Sequence, residues 1–363
     1  MTTTRPPSPR AKRRAAVAAK PRSGRVRATA AAPAAPTKPR LLRWEHVTKD
    51  DFDRIDRGEA LVLVAVSPLE VHGPHLPLGT DALEAEGLML RLVELLPERH
   101  RERTALALPM VYAAADAVPQ PGSLRFSTGT TVRVLTELGT TLAMQGFRNI
   151  VVSNFHGSPR HFIALEAACE NVNRRHPGTR MVSVFSVLVD RLTGGSAQLE
   201  RFSDGFTCFT PGDLEGDTHA GVIETGMMLA LHAERVSPRY RELPRKTVKE
   251  WAARRGFDAG ALDPQARAGK TGFRAMLEVW KPNLHYWLHE TYAGNPSLAT
   301  TRNGREVLDT LAAKGAEVVA ELLDGKLDPL RAHSPLWPKR FLFLNPWVGR
   351  LVEAYFRYPH PIG

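Results

Sequence analysis

Between positions 70 and 81 the chain reads Glu70-Val-His72-Gly-Pro-His75-Leu-Pro-Leu-Gly-Thr-Asp81, directly after the apolar run 61–66. Two carboxylates and two imidazoles at the end of a buried strand form the donor set of a divalent-metal site. Glu70 and His72 lie two apart, so on an extended chain both side chains point to the same side. Asp81 can return to that point after the Gly- and Pro-rich loop. His75 reads as a ligand or as a residue that orients one. A polar loop with incidental histidines has the same composition, and spacing alone leaves both readings open.

Two further groups carry similar chemistry. Asn154-Phe155-His156-Gly157-Ser158 follows a second apolar run, so His156 falls at another strand end. Beside the first motif it reads as a third ligand; alone, as a hydrogen-bonded loop residue. In Asp217-Thr218-His219-Ala220-Gly221-Val222-Ile223-Glu224, His219 precedes a helical stretch and Glu224 falls in its first two turns. Glu224 can complete a metal shell, or simply stabilise a helix start as an acid. His219 suits general acid–base work near its ordinary pKa. Pro121-Gly122-Ser123-Leu124 reads as a pocket-lining turn.

The elements that must position these residues alternate. Apolar stretches at 61–66, 105–112, 149–154 and 181–189 read as strands. Segments 81–96, 130–145, 161–174, 221–233 and 304–323 read as helices. This alternation predicts an α/β sandwich around a mainly parallel sheet. Its strands are continuously apolar, as in a sheet covered on both faces. Active sites of such sheets form at the carboxyl ends of the strands, where the 70–81 and 154–158 motifs fall. The polar segments 191–218 and 246–283 read as long loops over the sheet that shape a pocket. The final stretch, 327–363, carries Trp337, Phe341, Phe343, Trp347, Tyr355 and Phe356 among Arg and Pro. It suits packing on the domain or on a neighbouring subunit, or an amphipathic membrane-surface role.

The net charge of +11 belongs to one end. Residues 1–40 hold eleven Lys or Arg and no acid, which leaves 38 charges of each sign elsewhere. The body therefore gives no sign of specific nucleic-acid binding. The Ala-, Pro- and Arg-rich tail has no apolar period and reads as disordered and solvated, with an organelle transit peptide as the alternative. Two cysteines match neither a disulfide framework nor a zinc spacing, so a reducing cytoplasm is the default. No run of eighteen apolar residues would span a membrane.

Taken in order, the motifs resemble the creatininase family of creatinine amidohydrolase-like proteins. Glu70 to Asp81 matches its E-x-H-G-P-H-L-P-x-x-T-D pattern. Pro121-Gly122-Ser123, Gly146 through Ser158, His219 through Gly226 and Gly294 through Gly304 match later blocks. The resemblance covers roughly 42–323. It divides the chain into a basic tail (1–40), a metallohydrolase domain (41–325) and an aromatic extension (326–363).

That resemblance implies a three-layer α/β/α sandwich with two divalent ions per chain, zinc, manganese or iron. It also implies hydrolysis of a C–N bond in a small linear or cyclic amide by a metal-bridging hydroxide. Glu70, His72, Asp81, His156 and Glu224 match metal ligands, with Asp81 as the bridge. His219, together with Glu224, is assigned to catalysis. Ser123, Phe155 and Ser158 fall on the substrate side. Homo-oligomers, hexamers among them, are common in the family.

The departures are specific. Creatininases carry a metal-binding Glu where this chain has Ser158, and an acid where it has Thr218, so creatinine is not the expected substrate. Phe155 and Gly226 also depart, from Gly and Ser. Peptide trimming, as in one branch of the family, and a non-catalytic binding protein that kept the fold are the alternatives.

Overall fold

The computed structural model describes residues 40–196, 199–263 and 273–356. Residues 1–39 of the proposed 1–40 tail and the last seven residues lie outside these. Five strands, β1 (Arg40–Arg43), β2 (Leu61–Ala65), β3 (Thr104–Ala107), β4 (Asn149–Ser153) and β5 (Arg180–Ser183), pair in the order β1-β3-β2-β4-β5, every pairing parallel. The central strand β2 places Leu61 opposite Asn149 and Ala65 opposite Ser153.

Side-chain alternation makes this sheet the middle of three layers. Leu61, Leu63 and Ala65 join one apolar cluster with helices α1 (Thr80–Glu94), α4 (Val184–Thr193), α5 (Val222–His232) and α8 (Thr301–Leu323). Val62, Val64 and Val66 join a second cluster, with α2 (Thr128–Met144) and α3 (Pro159–Arg175). Every residue of β2 is buried, as its apolar run predicts. The three-layer α/β/α sandwich is thus the observed architecture. Helices α6 (Val248–Arg254), α7 (Phe273–Trp287) and α9 (Pro346–Tyr355) lie beyond the sheet.

The structure corrects three expectations. The apolar run 181–189 is not one strand. Only Arg180–Ser183 pairs with β4, and α4 starts at Val184, ending at Gly194 in the left-handed region (φ 62°). Burial of α4 against the core overrides the β-branched character of its sequence. The polar segment 246–283, read as a loop, contains α6 and the start of α7. Arg40–Arg43, at the boundary of the basic tail, forms an edge strand on β3.

One close helix contact explains a departure noted above. A Cβ at Gly226 of α5 would lie 2.8 Å from Asn303 Oδ1, and one at Gly304 of α8 would lie 1.7 Å from the Gly226 carbonyl oxygen. The two helices approach so closely that serine does not fit at 226 without a shift. Asn303 is also fixed, because it forms a capping box with Thr300 at the start of α8.

Candidate metal centre

The loops that follow β2 and β4 converge with the first turns of α1 and α5. The loop after β2 carries Glu70 and His72, and α1 begins with Asp81 in its first turn. The loop after β4 carries His156. Asn154 shapes it, its Nδ2 donating to the His156 carbonyl and its Oδ1 accepting the His156 N–H, both at 2.9 Å. Glu224 stands in the first turn of α5. Asp81 and Glu224 are therefore held at helix N-termini, where partial positive charge favours anions. Glu70, His72 and Asp81 are essentially inaccessible to solvent.

Three histidines are oriented by one device. Each donates one ring N–H to a backbone carbonyl: His72 Nδ1 to Glu70 O (3.0 Å), His156 Nε2 to Ala115 O (3.1 Å) and His219 Nε2 to Val71 O (2.8 Å). Carbonyls only accept, so these bonds fix the tautomers and leave the opposite nitrogens facing carboxylates. His72 Nε2 lies 2.9 Å from Asp81 Oδ1, 3.6 Å from Glu224 Oε2 and 3.9 Å from Glu70 Oε1. His156 Nδ1 lies 3.0 Å from Glu70 Oε1 and 3.1 Å from Asp81 Oδ2. His219 Nδ1 lies 3.8 Å from Glu70 Oε1.

Two ligand triads result, Glu70–Asp81–His156 and His72–Asp81–Glu224, and Asp81 belongs to both. Glu70, His72 and His219 form a third grouping. With His156 neutral and its proton on Nε2, Glu70 Oε1 and Asp81 Oδ2 are buried and have no donor. A buried carboxylate oxygen without a donor is costly. Divalent cations would satisfy these oxygens and both imidazole lone pairs, so the donor set fits a pair of metal ions.

Without metal, protons take the place of the cations. Burial alone would lower the pKa of His72, but Asp81, Glu224 and Glu70 together raise it to about 10. His156 is raised in the same way, the carboxylates of Glu70 and Asp81 outweighing its burial. Metal loading at neutral pH must therefore release protons. His219 behaves differently. Burial, reinforced by the charge on His72, pushes it down to about 3. In the absence of metal His219 is therefore neutral, its pKa held below the ordinary value, with a free lone pair on Nδ1.

The remaining expected residues are spread around this centre. His75 is buried behind it, Nε2 bonded to Thr225 Oγ1 at 2.8 Å, and it belongs to neither triad. Ser123 and Phe155 do not line the cavity described below. Ser123 Oγ accepts the Val71 N–H (3.1 Å) and so holds the loop that carries His72. The Phe155 ring packs in the core against Phe185. Their placement on the substrate side is therefore corrected. Ser158 does line the cavity and donates to Asp116 Oδ2 (2.9 Å).

Three residues escaped the sequence reading. Asp217 caps α5, its carboxylate accepting the N–H groups of Val222 (2.6 Å) and Ile223 (3.3 Å), and so fixes the helix that carries Glu224. His161 is buried edge-on to His156 (ring centroids 5.3 Å). Glu84, one turn after Asp81, is fully buried with neither oxygen hydrogen-bonded. Its pKa is driven well up by burial and then by Glu224 and Asp81, so it holds a proton. The acidic residue at position 217 and the three-residue spacing from Asp81 were visible signals for two of them.

A cavity of about 370 Å³ opens over the centre, with Glu70, His156, His219 and Glu224 at its polar end. Trp287 of α7 meets His219 edge-on at 5.3 Å.

A family model described as creatininase, creatinine amidohydrolase, matches residues 45–319. A mycofactocin precursor peptide peptidase of Mycolicibacterium smegmatis is 24% identical over 276 residues, 76% of this chain and 86% of that protein. A creatinine amidohydrolase of Pseudomonas putida is 26% identical over 206 residues, 54% of this chain and 72% of that protein. A solved manganese creatininase superposes with a TM-score of 0.51 at 17% identity, covering 78% of this chain and 99% of that one. A candidate creatinine amidohydrolase from Bacteroides fragilis gives 0.53 at 18% identity, covering 78% and 96%. At these identities the solved structures show a shared fold.

Proposed function

Because the chain belongs to the creatininase family, whose model spans most of its length, we propose that it is a dinuclear-metal hydrolase that cleaves the C–N bond of a small amide. One observation carries this reading. Three buried histidines each give one N–H to a backbone carbonyl and aim the other nitrogen at a shared set of carboxylates. Glu70, Asp81 and His156 would hold one ion, and His72, Asp81 and Glu224 the other. Divalent ions in such a site lower the pKa of a water from ~15.7 toward ~7 and polarise a carbonyl oxygen.

The chain's own residues do the rest. Asp81 presents one oxygen to each triad and fixes their separation. His219, neutral and anchored through Nε2, can take up a proton at Nδ1 and return it to the departing nitrogen. The Ser158 hydroxyl is committed to Asp116, so Glu70, His72, Asp81, His156 and Glu224 would be the protein ligands.

The peptidase relative from Mycolicibacterium smegmatis favours a second reading, in which the cleaved bond is a peptide bond. Cytoplasmic location and a homo-oligomer remain parts of the proposal. Sedimentation velocity tests the latter.

The test is hydrolysis by protein stripped of metal and reloaded with zinc, manganese or iron. Formamides, N-acyl amides, lactams and short peptides are assayed for released amine. Metal-dependent release from a non-peptide amide supports the proposal. Release from peptides alone establishes the second reading. Protein that binds none of these metals overturns both and leaves a non-catalytic binding protein.

A further inference from the structure

One side of the far end of the cavity is built by sequence outside the family match at 45–319. Val348, Val352 and Phe356 lie at i, i+4 and i+8 on α9 and its C-cap, and Phe343 precedes them; all four line the cavity. Opposite them stand Trp280, Leu284 and Trp287 of α7, again at helical spacing. Trp280 and Phe343 meet at 6.2 Å between ring centroids. The cavity therefore runs from a polar, metal-ligating floor to a roof of aromatic and branched apolar side chains.

The charges in its side wall cancel. Arg125 pairs with Glu353 of α9 (2.9 Å), and Arg160 pairs with Asp116 (2.7 Å) and lies 3.7 Å from Glu353. Two cations meet two anions, and all four side chains are largely buried. Arg160 Nε lacks a hydrogen-bond partner, which adds one donor but no net charge. The Arg125 guanidinium also lies over the Phe356 ring, 5.1 Å from its centroid. The clasp thus holds the apolar roof in place without giving this wall a charge preference.

We propose that the C-terminal helix makes this enzyme selective for neutral amides that bear an aromatic-sized apolar group, with Val348, Val352 and Phe356 as specificity-determining residues. The cavity of about 370 Å³ has room for a ring beyond the amide. Seating a ring against this roof removes its surface from water, which favours binding roughly in proportion to the area covered. A carboxylate in the same place would be desolvated beside an ion network that is already balanced, at substantial cost. This inference rests on the dinuclear-metal reading of the floor.

Hydroxamates, which chelate metal directly, separate the two ideas. The metal-reloaded protein is titrated calorimetrically with acetohydroxamate, benzohydroxamate and 4-carboxybenzohydroxamate. Val348→Asp and Val352→Asp variants are titrated in parallel. Benzohydroxamate should bind about tenfold or more tightly than acetohydroxamate, since burying a ring exceeds burying a methyl by at least that factor. The preference should collapse in both variants, chiefly through lost benzohydroxamate affinity, and the 4-carboxy probe should bind more weakly than benzohydroxamate to the unaltered protein. Equal aryl and methyl affinities in the unaltered protein, a preference that survives both variants, or tighter binding of the carboxylate probe would overturn the inference. Failure of all three hydroxamates to bind would instead overturn the metal reading beneath it.

Discussion

At the scale of single residues, the centre is defined by where each imidazole sends its second N–H. Residue types and the twelve-residue spacing made Glu70, His72, Asp81 and His156 legible, because donors at strand ends must converge in a parallel sheet. The carbonyl partners were not legible, since Ala115 and Val71 offer only backbone. Nor was the depressed pKa of His219, which depends on burial under Trp287 and on the neighbouring His72. Glu84 lay in plain view as an acid after Asp81, but only its burial sets it apart from a solvated helix residue. The His219 assignment yields a sharp prediction. His219→Gln keeps the metal content of the unaltered protein and lowers kcat about 10²- to 10⁴-fold, the usual worth of a positioned acid–base group. Loss of metal together with activity would show His219 to be a ligand instead.

At the scale of elements, the alternation of apolar strand-like runs with helical segments made the sandwich legible, while helix contacts and caps decided the details. The run 181–189 was apolar throughout, so nothing local separated a long strand from a short strand followed by α4. Gly226 was visible as a departure, but its cause lies in α8, almost eighty residues away. Gly226→Val should force α5 and α8 apart and destabilise the fold by about 1–3 kcal/mol, the usual cost of overpacking. Thermal unfolding with and without metal reads this.

A second prediction concerns α3. Glu166 accepts the Ser334 N–H at 2.9 Å, yet burial pushes its pKa up to about 7. Between its ordinary value and about 7 the folded protein holds a proton that the unfolded chain has lost, so stability falls as pH rises through this window. Glu166→Gln removes that dependence. It should leave stability at pH 4 nearly unchanged and raise it at pH 8, by up to about 3 kcal/mol from the size of the shift. A variant equally stabilised at both pH values would show that Glu166 is not the titrating group.

At the scale of the whole molecule, a family domain is completed by a segment of its own. The composition of the aromatic stretch at 327–363 suits packing on the domain or on a neighbouring subunit, or an amphipathic membrane-surface role; its described part is 327–356. The structure packs it on its own chain, with Phe343 and Phe356 buried and Glu353 clasped to Arg125. Composition showed that the segment was sticky; it did not show that it roofs the cavity, because Arg125 lies more than two hundred residues away. Removing one partner of a buried ion pair strands the other, at about 3–5 kcal/mol. Glu353→Leu should therefore loosen α9 and speed proteolysis near residue 346, and Arg125→Met added to it should restore protection. A double variant no better protected than the single one would argue against the clasp.

The central claim is a pair of metal ions sharing Asp81, and metal analysis of protein purified without a metal-binding tag tests it most directly. The account predicts about two equivalents of zinc, manganese or iron per chain, one in His156→Ala and none in Asp81→Ala, each variant still folded by circular dichroism. A folded Asp81→Ala protein that retains both ions, or an unaltered protein that cannot be loaded, would contradict it.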